Sequence, residues 1–174
     1  MTRNIQRLTV VVAMLTGAAV LHAATATLET SLAEAGARRK AAENRLGQIK
    51  STSSQSAEAA RALYGDAAAK NNAWVDAVCR TIEEGTKDAP DVSSLAEPAA
   101  ASLLAWVSGL DKALGNPESS AAIADGSRKQ VIQNLTDVAA KAWQKNRALS
   151  AEKRRQASAA LRARLQWKTL EQLP

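Results

Sequence analysis

The chain is 174 residues long, a length suited to one domain with an extension, and it carries a formal net charge of +6. Alanine supplies about a fifth of it, and aromatic residues only 3%, with no Phe, one Tyr and four Trp. So few rings exclude a thick globular core, and the scarcity of β-branched and aromatic residues after residue 28 argues against any sheet.

The first residues read as an export signal. Arg3 and Arg7 precede an apolar run from Leu8 to Leu21, and Ala24-Thr25-Ala26 fits the small-x-small cleavage pattern. The expectation is a signal peptide over 1–26 and a single helical domain over 27–174. No charge falls between Arg7 and Glu29, so residues 8–28 also admit an uncleaved inner-membrane anchor. The expectation is an exported protein, periplasmic or secreted, with anchoring to the inner membrane as the alternative.

From Leu28 onward a three-four spacing runs without a slip through Leu32, Ala35, Arg39, Ala42, Leu46, Ile49, Ser53, Ser56, Ala60, Leu63, Ala67, Lys70, Trp74 and Ala77. That is a coiled-coil seam with several polar or small positions, and it predicts one helix over about 27–84. Gly85, with Pro90 beyond it, ends that helix. Ser93 or Ser94 can cap a second helix over about 94–114, with Pro98 tolerated in its first turn. Gly115-Asn116-Pro117 stops it.

A third helix is expected over about 120–172. Ser150 is a cap candidate there, but no Gly or Pro between Gly126 and Pro174 breaks the pattern. One helix of about 45–50 residues, about 70 Å long at ~1.5 Å per residue, is the preferred reading. The expected architecture is all-α: an elongated antiparallel hairpin, coiled-coil-like, with a small three-helix head over about 66–142. Pairing of the rods would set Ser53 and Ser56 near Asn146 and Lys153.

Residues able to carry chemistry are few. His22 is the only histidine and lies in the export segment, which removes histidine-based acid/base, triad and metal arrangements from the mature chain. No phosphate-binding Gly loop or CxxC pair occurs. The carboxylates Glu83 and Glu84, and Asp88 with Asp91, flank a helix end and a loop, where solvated charge explains them. Cys79 is the only cysteine, and Val75, Val78 and Ile82 beside it suggest a small buried residue rather than a reactive thiol. No enzymatic activity, cofactor, metal or small-molecule substrate is expected.

Charge is uneven. Residues 27–126 carry ten basic and fourteen acidic side chains, and residues 127–174 carry eleven basic and three acidic. Lys153, Arg154, Arg155, Arg162, Arg164 and Lys168 form the densest basic cluster. An anionic envelope surface or polymer is the partner such a cluster would bind. Its charges spread over more than half the helix circumference, however, so a solvated face that neutralises the acidic first helix is the plainer explanation. Nucleic acid is disfavoured by export and by the lack of interleaved aromatics.

Trp143, one residue off the seam, is the candidate partner anchor. Trp167 is placed to clasp the open end against Leu28 and Leu32. The leading expectation is an exported structural or adaptor protein working through helix-mediated contacts or self-association. An anionic-surface binder and a holdase-type helper are the alternatives.

Overall fold

A computed structural model describes residues 28–50, 53–114 and 124–172. The expected export segment with His22 and the expected stop at Gly115-Asn116-Pro117 lie outside them. The described residues form five α-helices and no strand: α1 (Leu28–Lys50), α2 (Gln55–Glu84), α3 (Ser93–Ala113), α4 (Ala124–Asn146) and α5 (Ala151–Leu165). A 3-10 turn at Leu170–Gln172 follows. No described helix is long and apolar enough to cross a membrane. The all-α class stands; the two continuous rods do not.

The first rod breaks at Ser53 and Ser54. Ser54 is extended (φ −77°, ψ 149°), and its hydroxyl accepts from the Ala57 amide, an N-cap on α2. The serines taken from the spacing as polar seam positions are thus a helix start, because their hydroxyls compete for backbone amides. The chain then doubles back. Arg61 donates to the Ile49 carbonyl at 2.9 Å, although twelve residues of continuous helix would separate them by about 18 Å. Leu32 shares a core with Trp74 and Val78, which an unbroken helix would place about 60 Å away or more.

The second rod breaks at residues 147–150, where Ser150 turns extended (φ −60°, ψ 157°) before α5. Its side chain makes no capping bond; Arg154 instead reaches back and donates to the Leu149 carbonyl at 2.7 Å. Both breaks fold what would have been a long thin hairpin onto itself.

The central helix is α2, with α3 and α5 packed along it, α4 set against α3 and α2, and α1 set against α5, α4 and α2. Gly85 closes α2 in the left-handed region (φ 67°), donating to the Thr81 and Ile82 carbonyls, as its place in the sequence predicts. The α3 helix begins at Ser93, where Asp91 accepts from the Ser93 amide and hydroxyl. Pro98 therefore sits in its second turn, not its first. Close approach of α3 to α2 uses Gly109, whose missing side chain leaves room for Leu63.

Two cores result rather than one head. The first gathers Trp74, Val75, Val78 and Ile82 of α2 with Leu32, Val138, Ala139, Leu161 and Leu165. The second joins Leu46 and Ile49 of α1 to Ala60 and Tyr64 of α2 and to Trp106 and Leu110 of α3. The expected head mixed residues of both, since Trp106 belongs to the second.

Candidate functional site

Five of the six expected basic residues lie on α5, which runs antiparallel to the last four turns of α2, and Lys168 follows it. Ser158, fully buried, donates to the Cys79 carbonyl at 3.1 Å, and the Cys79 thiol points at the Ser158 carbonyl at 3.5 Å. Ser158 and not Ser53 or Ser56 is thus the polar seam residue of this pair. Asn146, expected opposite those serines, bonds within its own helix to the Ala142 carbonyl, and Lys153 is exposed. Burial pushes the Cys79 thiol up to about 11, so it is a protonated core group.

Arg162 is enclosed by acids of α2: its Nε lies 3.1 Å from Asp76 and its Nη1 2.6 Å from Glu83. The hydrogen bond to Glu83 raises its pKa further above the usual guanidinium value. With partners about a third to a half exposed, each contact contributes on the order of 0.5 kcal/mol. Arg154 spans the end of α2, donating to the Glu83 carbonyl at 3.3 Å, and its guanidinium occupies the space beside Gly85. Arg155 pairs one turn back with Glu152 at 2.9 Å, which holds that carboxyl below its usual range. Arg164 pairs with Glu29 of α1 at 2.8 Å. Of the six basic candidates, Arg154 and Arg162 serve the interior of the fold. Lys153, Arg155, Arg164 and Lys168 remain exposed, two of them in ion pairs.

Neither tryptophan is a free anchor. Trp143 is half-buried against the first core, donates to the Thr86 carbonyl at 3.3 Å and lies under the Arg147 guanidinium at 4.8 Å. Trp167 does not meet Leu28 or Leu32. It stacks with Tyr64 and Trp106 at centroid distances of 5.7 Å each, completing a three-ring cluster. Asn72 clamps its backbone from both sides, accepting from the Trp167 amide and donating to its carbonyl. The ring cluster buries the one tyrosine, and desolvation pushes its phenol from the ordinary value of about 10 up to about 12.

The spacing placed Leu32, Leu46 and Ile49 on the inner face of α1, where they are buried; it did not reveal the charged contacts between them. Arg39 donates to the carbonyls of Ala163 and Gln166 at 3.0 Å each, at the end of α5. Its own Nε stands 3.8 Å from Glu43, an ion pair too long for a hydrogen bond, and both atoms are buried without hydrogen-bond partners. Arg45 faces the buried Asp111 of α3 at 3.6 Å. Arg39 did fall on a seam position of the three-four spacing, and that is the one signal that could have exposed this layer.

Among the described residues, no group of three or more His, Cys, Asp or Glu side chains could hold a metal ion. Comparison with protein-family models, curated proteins and solved structures gives no match for this chain. The α1 helix is seated through Leu32, Leu46 and Ile49, with Arg39, Glu43 and Arg45 between them.

Proposed function

We propose that this chain is an exported, non-catalytic helical adaptor of a cell envelope, working by protein–protein contacts in which α1 is the exchangeable element. One observation carries it. The α1 helix meets the bundle through Leu32, Leu46 and Ile49 with Arg39, Glu43 and Arg45 between them, and Arg39 Nε and Glu43 Oε1 are buried without a hydrogen bond, 3.8 Å from each other. Such a layer costs free energy that an all-apolar face would not, so α1 is the helix most easily exchanged for another. Export is supported by Arg3, Arg7, the run Leu8–Leu21 and Ala24-Thr25-Ala26.

A second reading, contact with an anionic surface or polymer, draws on the exposed Lys153, Arg155, Arg164 and Lys168. It stands behind the first because Arg154 and Arg162 are occupied internally. Purification of the tagged chain from its native host, washed in low and then high salt, separates the two. The adaptor reading expects a stoichiometric protein partner, or the chain itself, retained at high salt, because buried apolar contacts are little screened. Recovery of salt-labile lipid or polymer alone would transfer the proposal to the basic face. A bare monomer in both washes would overturn both readings.

A further inference from the structure

We infer that the residues after α5, 166–172, form a strap that holds α1 on the bundle, and that α1 is released when the strap winds onto the end of α5 as further helix. This rests on the adaptor reading and names what regulates its exchangeable helix. The strap departs from α5 at Gln166, whose backbone is extended (φ −69°, ψ 136°). Side chains of α2 then hold it by its main chain. Asn72 accepts from the Trp167 amide at 2.8 Å and donates to the Trp167 carbonyl at 3.0 Å, and the Tyr64 hydroxyl donates to the Lys168 carbonyl at 2.7 Å. The Trp167 ring lies against Tyr64 and Trp106, and Leu170 packs on the same core, which also contains Leu46 and Ile49 of α1.

The link to α1 runs through two carbonyls. In a continuing helix the amide of Trp167 would bond the carbonyl of Ala163, and the amide of Leu170 that of Gln166. Asn72 takes the first of these amides, and the turn at Gln166 carries the second away, so both carbonyls are left open to an outside donor. They are the two that Arg39 of α1 uses, at 3.0 Å each. Winding of the strap and seating of Arg39 compete for the same acceptors.

The wound form is open to this sequence. Residues 166–172 contain no Gly or Pro, and Ala163, Trp167 and Leu170 continue the three-four spacing of the helix before them. The helix stops at Leu165 because side chains of α2 and α1 claim the main chain beyond it, not because local preference ends it. Winding takes Trp167 off Asn72 and out of the core that holds Leu46 and Ile49, and takes both acceptors from Arg39. The waist of α1 and its C-terminal end therefore loosen together. Leu32 in the first core and the Glu29 ion pairs with Lys145 and Arg164 are left to hold it.

Two variants test it in the full chain, read by residue-resolved hydrogen exchange. Asn72 makes its bonds to the strap and to Asn71, not to α1. Asn72→Ala should nevertheless lower the protection of the α1 amides about tenfold or more, leave α3 unchanged, and keep or raise the helical circular dichroism. Arg39→Gln probes the reverse direction. Because coupling between two sites is reciprocal, it should lower protection of the Trp167 amide by about the same factor. Protection of α1 that is unchanged in Asn72→Ala, or that falls equally in every helix, would overturn the strap's role. A Trp167 amide indifferent to Arg39→Gln would overturn it too, and that arm decides alone should Asn72→Ala fail to fold. A protein partner retained from the host with no α1 response would leave the adaptor reading standing without the strap, and a bare monomer that shows the response would end the adaptor reading alone.

Discussion

The helices α1 and α5 are both set against α2, and the difference between them is in how polar groups are spent. The described inner faces include Leu32, Leu46 and Ile49 in α1 and Ser158, Leu161 and Leu165 in α5. On α5 the polar groups at the interface are matched, with Ser158 and Cys79 exchanging bonds, Arg162 between two carboxylates and Asn71 donating to the Leu165 carbonyl at 2.9 Å. On α1 the charged waist is only partly satisfied. Two helices of similar apolar content can therefore differ in hold, because buried polar atoms reward full pairing and penalise partial pairing.

The largest expected effect falls in the second core, where α1 meets the segment that follows α5. Trp106→Ala removes the ring between Tyr64 and Trp167 and opens a cavity under α1 and the end of α5. It should cost about 3–5 kcal/mol in denaturant unfolding. If α5 were held by its ion pairs alone, the residues after Leu165 would stay protected from hydrogen exchange in this variant.

Gly85→Ala should cost about 1–2 kcal/mol, because a side chain at positive φ is strained and a Cβ would meet the Arg154 guanidinium. The loss is expected to loosen the start of α5 and to leave α1 unchanged in a residue-resolved exchange experiment. Ser158→Ala, which deletes one buried hydrogen bond, should cost about 1 kcal/mol by chemical unfolding. A cost near zero would mean that α5 is seated by Leu161 and Leu165 alone.

Two titrations sharpen the comparison further. Tyr64 ionises at about 12 in the fold against an ordinary value of about 10, so the unfolded chain releases its proton first. The stability it contributes is whole below pH 10 and is lost as pH rises toward 12. It is the only tyrosine, so ultraviolet absorbance of the phenolate follows it directly. The smallest effect concerns the tip of α1. Glu29 bonds to Arg164 at 2.8 Å and Lys145 at 3.0 Å, and these contacts lower its pKa. The attachment is therefore present above the usual carboxylate range and lost as pH falls through the folded value. Glu29→Gln should abolish that acid dependence of exchange in the first turns of α1.

How much of this was legible beforehand varies by residue. Gly85 announced its helix end because a left-handed cap with proline downstream has few other uses. Cys79 announced its burial through its apolar neighbours. The break at Ser54 was visible as a run of serine and threonine, yet the uninterrupted three-four spacing masked it, since periodicity records which face is apolar and not whether the helix continues. The break before α5 had still less to show, because Ser150 makes no side-chain cap and the turn is held by Arg154 from the following helix.

The amino-acid sequence alone determined that the described segments would be helical, where α2 would end and that Leu32, Leu46, Ile49 and Cys79 would face inward. These follow from backbone preference and spacing, which act within a few residues. Only the tertiary structure decided that α1 doubles back, that Ser158 meets Cys79 and that Trp167 joins Tyr64 and Trp106. Those outcomes depend on which of several compatible apolar faces bury one another, and that choice is made between segments far apart in the chain.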